Sequence, residues 1–244
     1  MKNLLPFVII LLIYSCQTNQ QESAALPPAF IKMLAKHGGL TTWKKMKSLR
    51  FQAKVPDGVE THSIDLQNFR DRLDGPGYTM GYDGQAIWVG KDTTFDGNPT
   101  LYHSLYFYFF SMPFMPATEG VEFTQAEPLL FDGMDYPGFQ VVLDKGVGAE
   151  LSREFFLHYD PSSHQLAWVG YADPQISGKV NWVRYVDWIN TERLVLPTTI
   201  AWYKMENGKL TAPKHQVSFD NIEISRAAYI SNIFEKPDEA LVVQ

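Results

Sequence analysis

The run Val180-Asn181-Trp182-Val183-Arg184-Tyr185-Val186-Asp187-Trp188-Ile189 and the run that follows it, Leu194-Val195-Leu196-Pro197-Thr198-Thr199-Ile200-Ala201-Trp202-Tyr203, decide the fold class. Both are rich in β-branched and aromatic residues, the composition that fits a pleated surface. In both, the two alternating faces carry large apolar side chains. A sheet with one wet face should alternate cleanly between apolar and polar. These strands therefore belong to a sheet covered on both sides, or to one whose inner face lines an apolar cavity.

Working outward, the same texture extends back to Leu49. Strands are expected at Leu49–Val55, Glu60–Leu66, Arg70–Leu73, Tyr78–Tyr82, Ala86–Val89 and Val121–Ala126. They continue at Gly138–Asp144, Glu154–Tyr159, Leu166–Tyr171, Val180–Ile189, Leu194–Lys204 and His215–Ile224. Asp57-Gly58, Asp83-Gly84, Asp132-Gly133, Asp160-Pro161-Ser162-Ser163 and Asn207-Gly208 supply turn chemistry between them. Such spacing predicts an antiparallel meander, sandwich or barrel. Ahead of the strands, Pro27-Pro28 introduces a helix over Ala29–His37, with Phe30, Met33, Leu34 and His37 on one face. Gly38-Gly39 ends it, and Thr41 or Thr42 caps a second short helix containing Trp43 and Met46.

The segment Leu101 to Met115, LYHSLYFYFFSMPFM, fits neither a strand nor a helix period. It has no Asp, Glu, Lys or Arg, and nine of its residues are Phe, Tyr or Met. Three uses fit it. It could be a helix and loop filling a barrel core, or a lid whose Met and Phe side chains adapt to a lipid-like ligand. It could also be a loop that seeks a membrane surface. The ligand-lining candidates are Tyr106, Phe107, Phe109, Phe110, Met112, Phe114 and Met115, together with Trp88, Trp182 and Trp202.

The N-terminus reads as a targeting segment. One positive charge at Lys2 precedes the apolar run Leu4 to Tyr14, which is too short for the ~20 residues a membrane-spanning helix needs. Ile13-Tyr14-Ser15-Cys16 follows, and it resembles a bacterial lipobox, in which a small residue precedes the cysteine to be lipidated. Cys16 is the only cysteine of the chain, so no intrachain disulfide can form. Residues 1–15 are thus expected to be a lipoprotein signal peptide, 16–26 a flexible tether, and 27–244 a single domain. Two or three acyl chains on Cys16 would give stable anchoring in a membrane.

The 244 residues carry a formal charge of −6, which argues against nucleic acid as a partner. The six histidines, His37, His62, His103, His158, His164 and His215, form no HxH or HExxH pair and read as packed or solvated side chains. Gly146-Val147-Gly148 lacks the third glycine of a dinucleotide loop. Asp71 and Asp74 flank Arg72 and read as a solvated strand end. No nucleophile is paired with a base, so neither catalysis, a metal nor a cofactor is expected.

Several pieces together resemble the half-barrel lipoproteins of the LolA/LolB type, and more closely a Bacteroidota branch of outer-membrane lipoprotein-sorting proteins. They are His37-Gly38-Gly39 with Trp43, Leu49 and Phe51, Tyr82-Asp83-Gly84 running into Trp88-Val89, and Leu105–Phe110 with Met112-Pro113-Phe114. Tyr185-Val186-Asp187 with Leu196-Pro197 completes the set, and the resemblance spans roughly Phe30 to Phe234. It implies a mainly β fold: a strongly curved antiparallel sheet, an incomplete barrel closed by short helices. In carrier members of that family the concave face holds acyl chains in transit through the periplasm. The soluble carriers are not lipidated, so a lipidated relative implies a tethered, monomeric binding module in the bacterial envelope, anchored at the outer membrane. The other open function is a structural or interaction lipoprotein whose aromatic interior is only a core.

Overall fold

The computed structural model describes residues 26–93, 95–117, 121–143, 152–172, 176 and 178–243. The expected signal peptide, Cys16 and nearly all of the tether lie outside the described residues. Two helices open the described chain, α1 (Pro28–Lys36) and α2 (Leu40–Trp43). A first meander follows: β1 (Ser48–Val55), β2 (Gly58–Asp65), β3 (Asp71–Gly75), β4 (Tyr78–Tyr82) and β5 (Ile87–Val89). Next come α3 (Pro99–Tyr102) and α4 (Leu105–Ser111). The second meander is β6 (Val121–Phe131), β7 (Met134–Leu143), β8 (Glu154–Tyr159), β9 (Leu166–Ala172), β10 (Val180–Thr191), β11 (Leu194–Glu206) and β12 (Lys209–Ser225). A short strand, β13 (Leu241–Val242), ends the order.

All thirteen strands form one antiparallel sheet in the order β13-β5-β4-β3-β2-β1-β12-β11-β10-β9-β8-β7-β6, and it does not close into a barrel. The two meanders are joined by the pairing of β1 with β12. The fold is mainly β, as expected from the strand texture. The connection from β5 to β6 joins strands near opposite ends of the sheet, so it has to cross one face. That crossing carries α3 and α4, and it determines what fills the interior.

Adjacent residues on α4 report the curvature. Phe110 stacks on Phe51 of β1 at 4.6 Å, while Phe109 meets Tyr171 of β9 at 5.5 Å. Those strands stand four places apart in the sheet, ~19 Å if it were flat at the usual strand spacing. The sheet is wrapped around the helix. On the inner face, Leu49, Phe51, Phe139, Val141, Phe155, Leu157, Val183, Ile200, Val217 and Phe219 form one core with α1 and α4. α1 packs Phe30 against Phe123 of β6 and Phe139 of β7.

The apolar residues on both faces of β10 and β11 are explained by a second cluster on the outer face, built on Tyr136, Trp168 and Trp182. The β6–β7 hairpin bends at an irregularity between Ala126 and Leu129 and lays Phe131 on Trp168 and Tyr203. The sheet is covered on both sides there. Two-residue turns close that hairpin and the β11–β12 hairpin: Asp132-Gly133 and Asn207-Gly208 all have positive φ, as an Asp-Gly or Asn-Gly turn of this type requires.

His37 and Gly38 pin α1 to the sheet. The ring of His37 is fully buried; Nδ1 donates to the Val195 carbonyl at 3.0 Å and Nε2 accepts from the Leu166 amide at 3.1 Å. Burial lowers its pKa to about 4, against the Val195 hydrogen bond, with nearby Lys36 adding to the burial effect. Gly38 has φ +97°, and a Cβ there would lie 2.1 Å from the Arg193 carbonyl oxygen. Only glycine allows that approach.

Candidate functional site

α4 is seven residues, LYFYFFS, and from Tyr106 to Ser111 every one is buried. Its end is local in origin: Pro113 disfavours a helical conformation in the residue before it, and Met112 is extended at φ −68°, ψ 139°. Around it the rings interlock. Phe110 also meets Phe219 edge-on at 5.5 Å, and Phe109 meets Trp202 at 5.3 Å. Tyr106 faces His62, Phe219 and Trp202 at 5.6, 6.1 and 6.3 Å. Beyond the helix, Phe114 stacks on Trp43 of α2 at 4.7 Å. The backbone of α4 is tied to the sheet by Tyr185, whose hydroxyl donates to the Phe109 carbonyl at 2.6 Å.

Eight of the ten ligand-lining candidates are thus brought together. Tyr106, Phe107, Phe109, Phe110, Met112, Phe114, Met115 and Trp202 share the inner core. The other two lie elsewhere. Trp182 belongs to the outer-face cluster with Trp168. Trp88 points to the side of β5 where Arg72 lies over its ring at 5.9 Å and Gly81 leaves room for it. Alternation along β5 and β10 puts both tryptophans on the opposite face from α4.

A buried polar row beside α4 was not legible in the sequence. Glu60 of β2 is fully buried, and its carboxylate accepts hydrogen bonds from three neutral or titratable donors. Tyr102 Oη donates to Oε1 at 2.7 Å, Tyr78 Oη donates to the same oxygen, and His62 Nε2 lies 3.1 Å from Oε2. Burial alone would raise the Glu60 pKa; the bonds from His62, Tyr78 and Tyr102 outweigh it and hold the carboxyl below the usual range. Burial and the neighbouring carboxylate push the Tyr78 and Tyr102 hydroxyls up, and burial takes Tyr106 to about 12.

Further along the same face, Asp71 of β3 pairs with His103, Oδ2 to Nδ1 at 2.8 Å. Asp71 is buried, which corrects its reading as part of a solvated strand end; only Asp74, bound to Arg72 at 2.8 Å, is half-exposed. The alternation of β3 explains the difference, because Asp71 opposes Ile64 on the inner face and Arg72 faces outward. Burial raises the Asp71 pKa against the His103 bond and the Tyr82 main chain. Asp71 Oδ1 and, at the start of α4, the Ser104 hydroxyl are buried without a side-chain hydrogen-bond partner. Among the described residues, no three His, Cys, Asp or Glu side chains are placed to hold a metal ion.

No family model matches the chain, and no curated protein matches it. Solved structures do. The chain is similar to the LolA superfamily protein NE2245 from Nitrosomonas europaea, at 13% identity and TM-score 0.47, over 78% of this chain and 89% of that one. It is similar to a putative outer membrane lipoprotein-sorting protein domain from Vibrio parahaemolyticus, at 11% identity and TM-score 0.37, over 78% and 93%. A DUF1329 family protein from Desulfovibrio piger is similar at 11% identity and TM-score 0.48, over 85% and 95%. The described chain has the mainly β fold expected: one thirteen-stranded antiparallel sheet that does not close into a barrel, with a few short helices.

Proposed function

We propose that this protein is a lipid-anchored, envelope-facing module that holds an apolar, acyl-like ligand on the inner face of its half-barrel, in the place α4 occupies. One observation carries this reading: the interior is filled by a segment that contributes no strand to the sheet. α4 can leave without breaking a single ladder hydrogen bond. The exchange is balanced in size. The six large side chains Phe107, Tyr108, Phe109, Phe110, Met112 and Phe114 bury roughly 9–18 kcal/mol at ~1.5–3 each. A sixteen-carbon chain taking their place gains about 12 kcal/mol at ~0.8 per CH₂. The lipobox-like sequence at Cys16 supports the anchor.

The near-complete burial of the α4 rings favours a second reading, a structural or interaction lipoprotein with a filled core and no ligand. Titration with a fluorescent fatty alcohol separates the two. If α4 competes with the chain, Phe110→Ala lowers stability by ~3–5 kcal/mol and tightens probe binding. If the interior is only core, the same loss of stability appears and neither protein binds the probe.

A further inference from the structure

Tyr102 ends α3 and His103 follows it, one residue, Ser104, before α4 begins. They place their side chains on two acceptors of the inner face, Tyr102 on Glu60 and His103 on Asp71. The two carboxylates belong to the strands and stay when the helix goes. Asp71 would then lose the only side-chain donor it has, and Glu60 would keep Tyr78 and His62 but lose Tyr102. Among the described residues neither carboxylate forms an ion pair with a lysine or arginine; Arg72 faces outward to Asp74, and Arg70 is held by Asp65. Leaving a buried charge unpartnered is strongly unfavourable. A purely apolar ligand would not make good that loss.

The register gives the length of the row. Asp71 is opposite Ile64, four residues along β2 from Glu60, which is about 13 Å at the usual strand rise. His62 stands between them and stacks on Phe51 at 4.8 Å. Asp71 Oδ1 is buried and takes no side-chain donor even with α4 seated, which marks the Asp71 end of the row as the place for one.

We infer that Asp71, the strand carboxylate that loses its His103 partner, seats the headgroup of an amphiphile bearing hydroxyl or ammonium donors, whose chain replaces α4. This rests on the displacement reading above and names its ligand class. An anionic head is excluded by the same acceptor, since a carboxylate or phosphate brings no donor and a like charge.

The test is competition against the fluorescent fatty alcohol at pH 7 with three twelve-carbon amphiphiles: dodecylamine, monolauroylglycerol and laurate. With the wild-type protein, the amine and the glycerol ester should compete at concentrations at least tenfold lower than laurate. In Asp71→Asn the preference of amine over laurate should shrink to under threefold. Laurate competing as well as the other two overturns the headgroup seat and leaves the displacement reading standing. Failure of the wild-type protein to bind the probe at all overturns both. Should Asp71→Asn fail to fold, the wild-type series decides alone.

Discussion

Acidification should loosen the half-barrel at His37, the buried ring that pins α1 to the sheet. Its ring is neutral and buried, with both nitrogens used, Nδ1 on the Val195 carbonyl and Nε2 under the Leu166 amide. A proton on Nε2 would face a donor. The folded pKa is about 4, below the 6.5 of an exposed histidine, so the unfolded chain takes up the proton first. Stability from this group is therefore complete above pH 6.5 and is lost as pH falls through 6.5 toward 4. A gap of that size corresponds to about 3 kcal/mol between pH 7 and pH 4. Glu60 and His158, whose pKa values are also lowered, add their own acid sensitivity, while the raised Asp71 opposes it. A comparison with His37→Gln cancels those contributions. Urea denaturation at pH 7 and pH 4 should show the wild type losing about 3 kcal/mol more than the variant. Equal losses in the two proteins would mean that His37 does not titrate as a buried neutral ring.

Gly38→Ala should cost at least about 2 kcal/mol in the same assay, because the new Cβ meets the Arg193 carbonyl in a left-handed conformation. Gly39→Ala, where φ is +85° but nothing lies within 4 Å, should cost only the backbone strain, about 1 kcal/mol. Cys16→Ser should move the protein from the membrane to the soluble fraction and abolish labelling with a fatty-acid analogue; continued labelling would refute the anchor.

How far the fold could be read from sequence varied with how local its causes are. Strand positions followed from turn residues and β-rich runs, and most observed bounds lie within a few residues of those expected. Pro128 obscured the outer half of β6, which continues to Phe131 through an irregular stretch. The start of β12 was hidden by Pro213 and the short, exposed run Lys209–Lys214, and β13 is too short to carry a pattern. The turn Glu192-Arg193 has both residues at positive φ with no glycine or asparagine to announce it. The aromatic block could be singled out because its composition is extreme. The polar row could not, since Glu60 and Tyr102 lie 42 residues apart and Asp71 and His103 lie 32 apart. The two Trp candidates on the wrong side for α4, Trp88 and Trp182, were chosen for their chemistry without knowledge of register, and register assigns the face.

The displacement of α4 by a chain-bearing ligand is tested most directly on protein purified from its native envelope. Organic extraction followed by mass spectrometry, with protein quantified in the same sample, should recover a non-covalent amphiphile with a hydroxyl or amine head, approaching one per chain. A folded protein that repeatedly yields no amphiphile beyond its own N-terminal acyl groups would contradict the account.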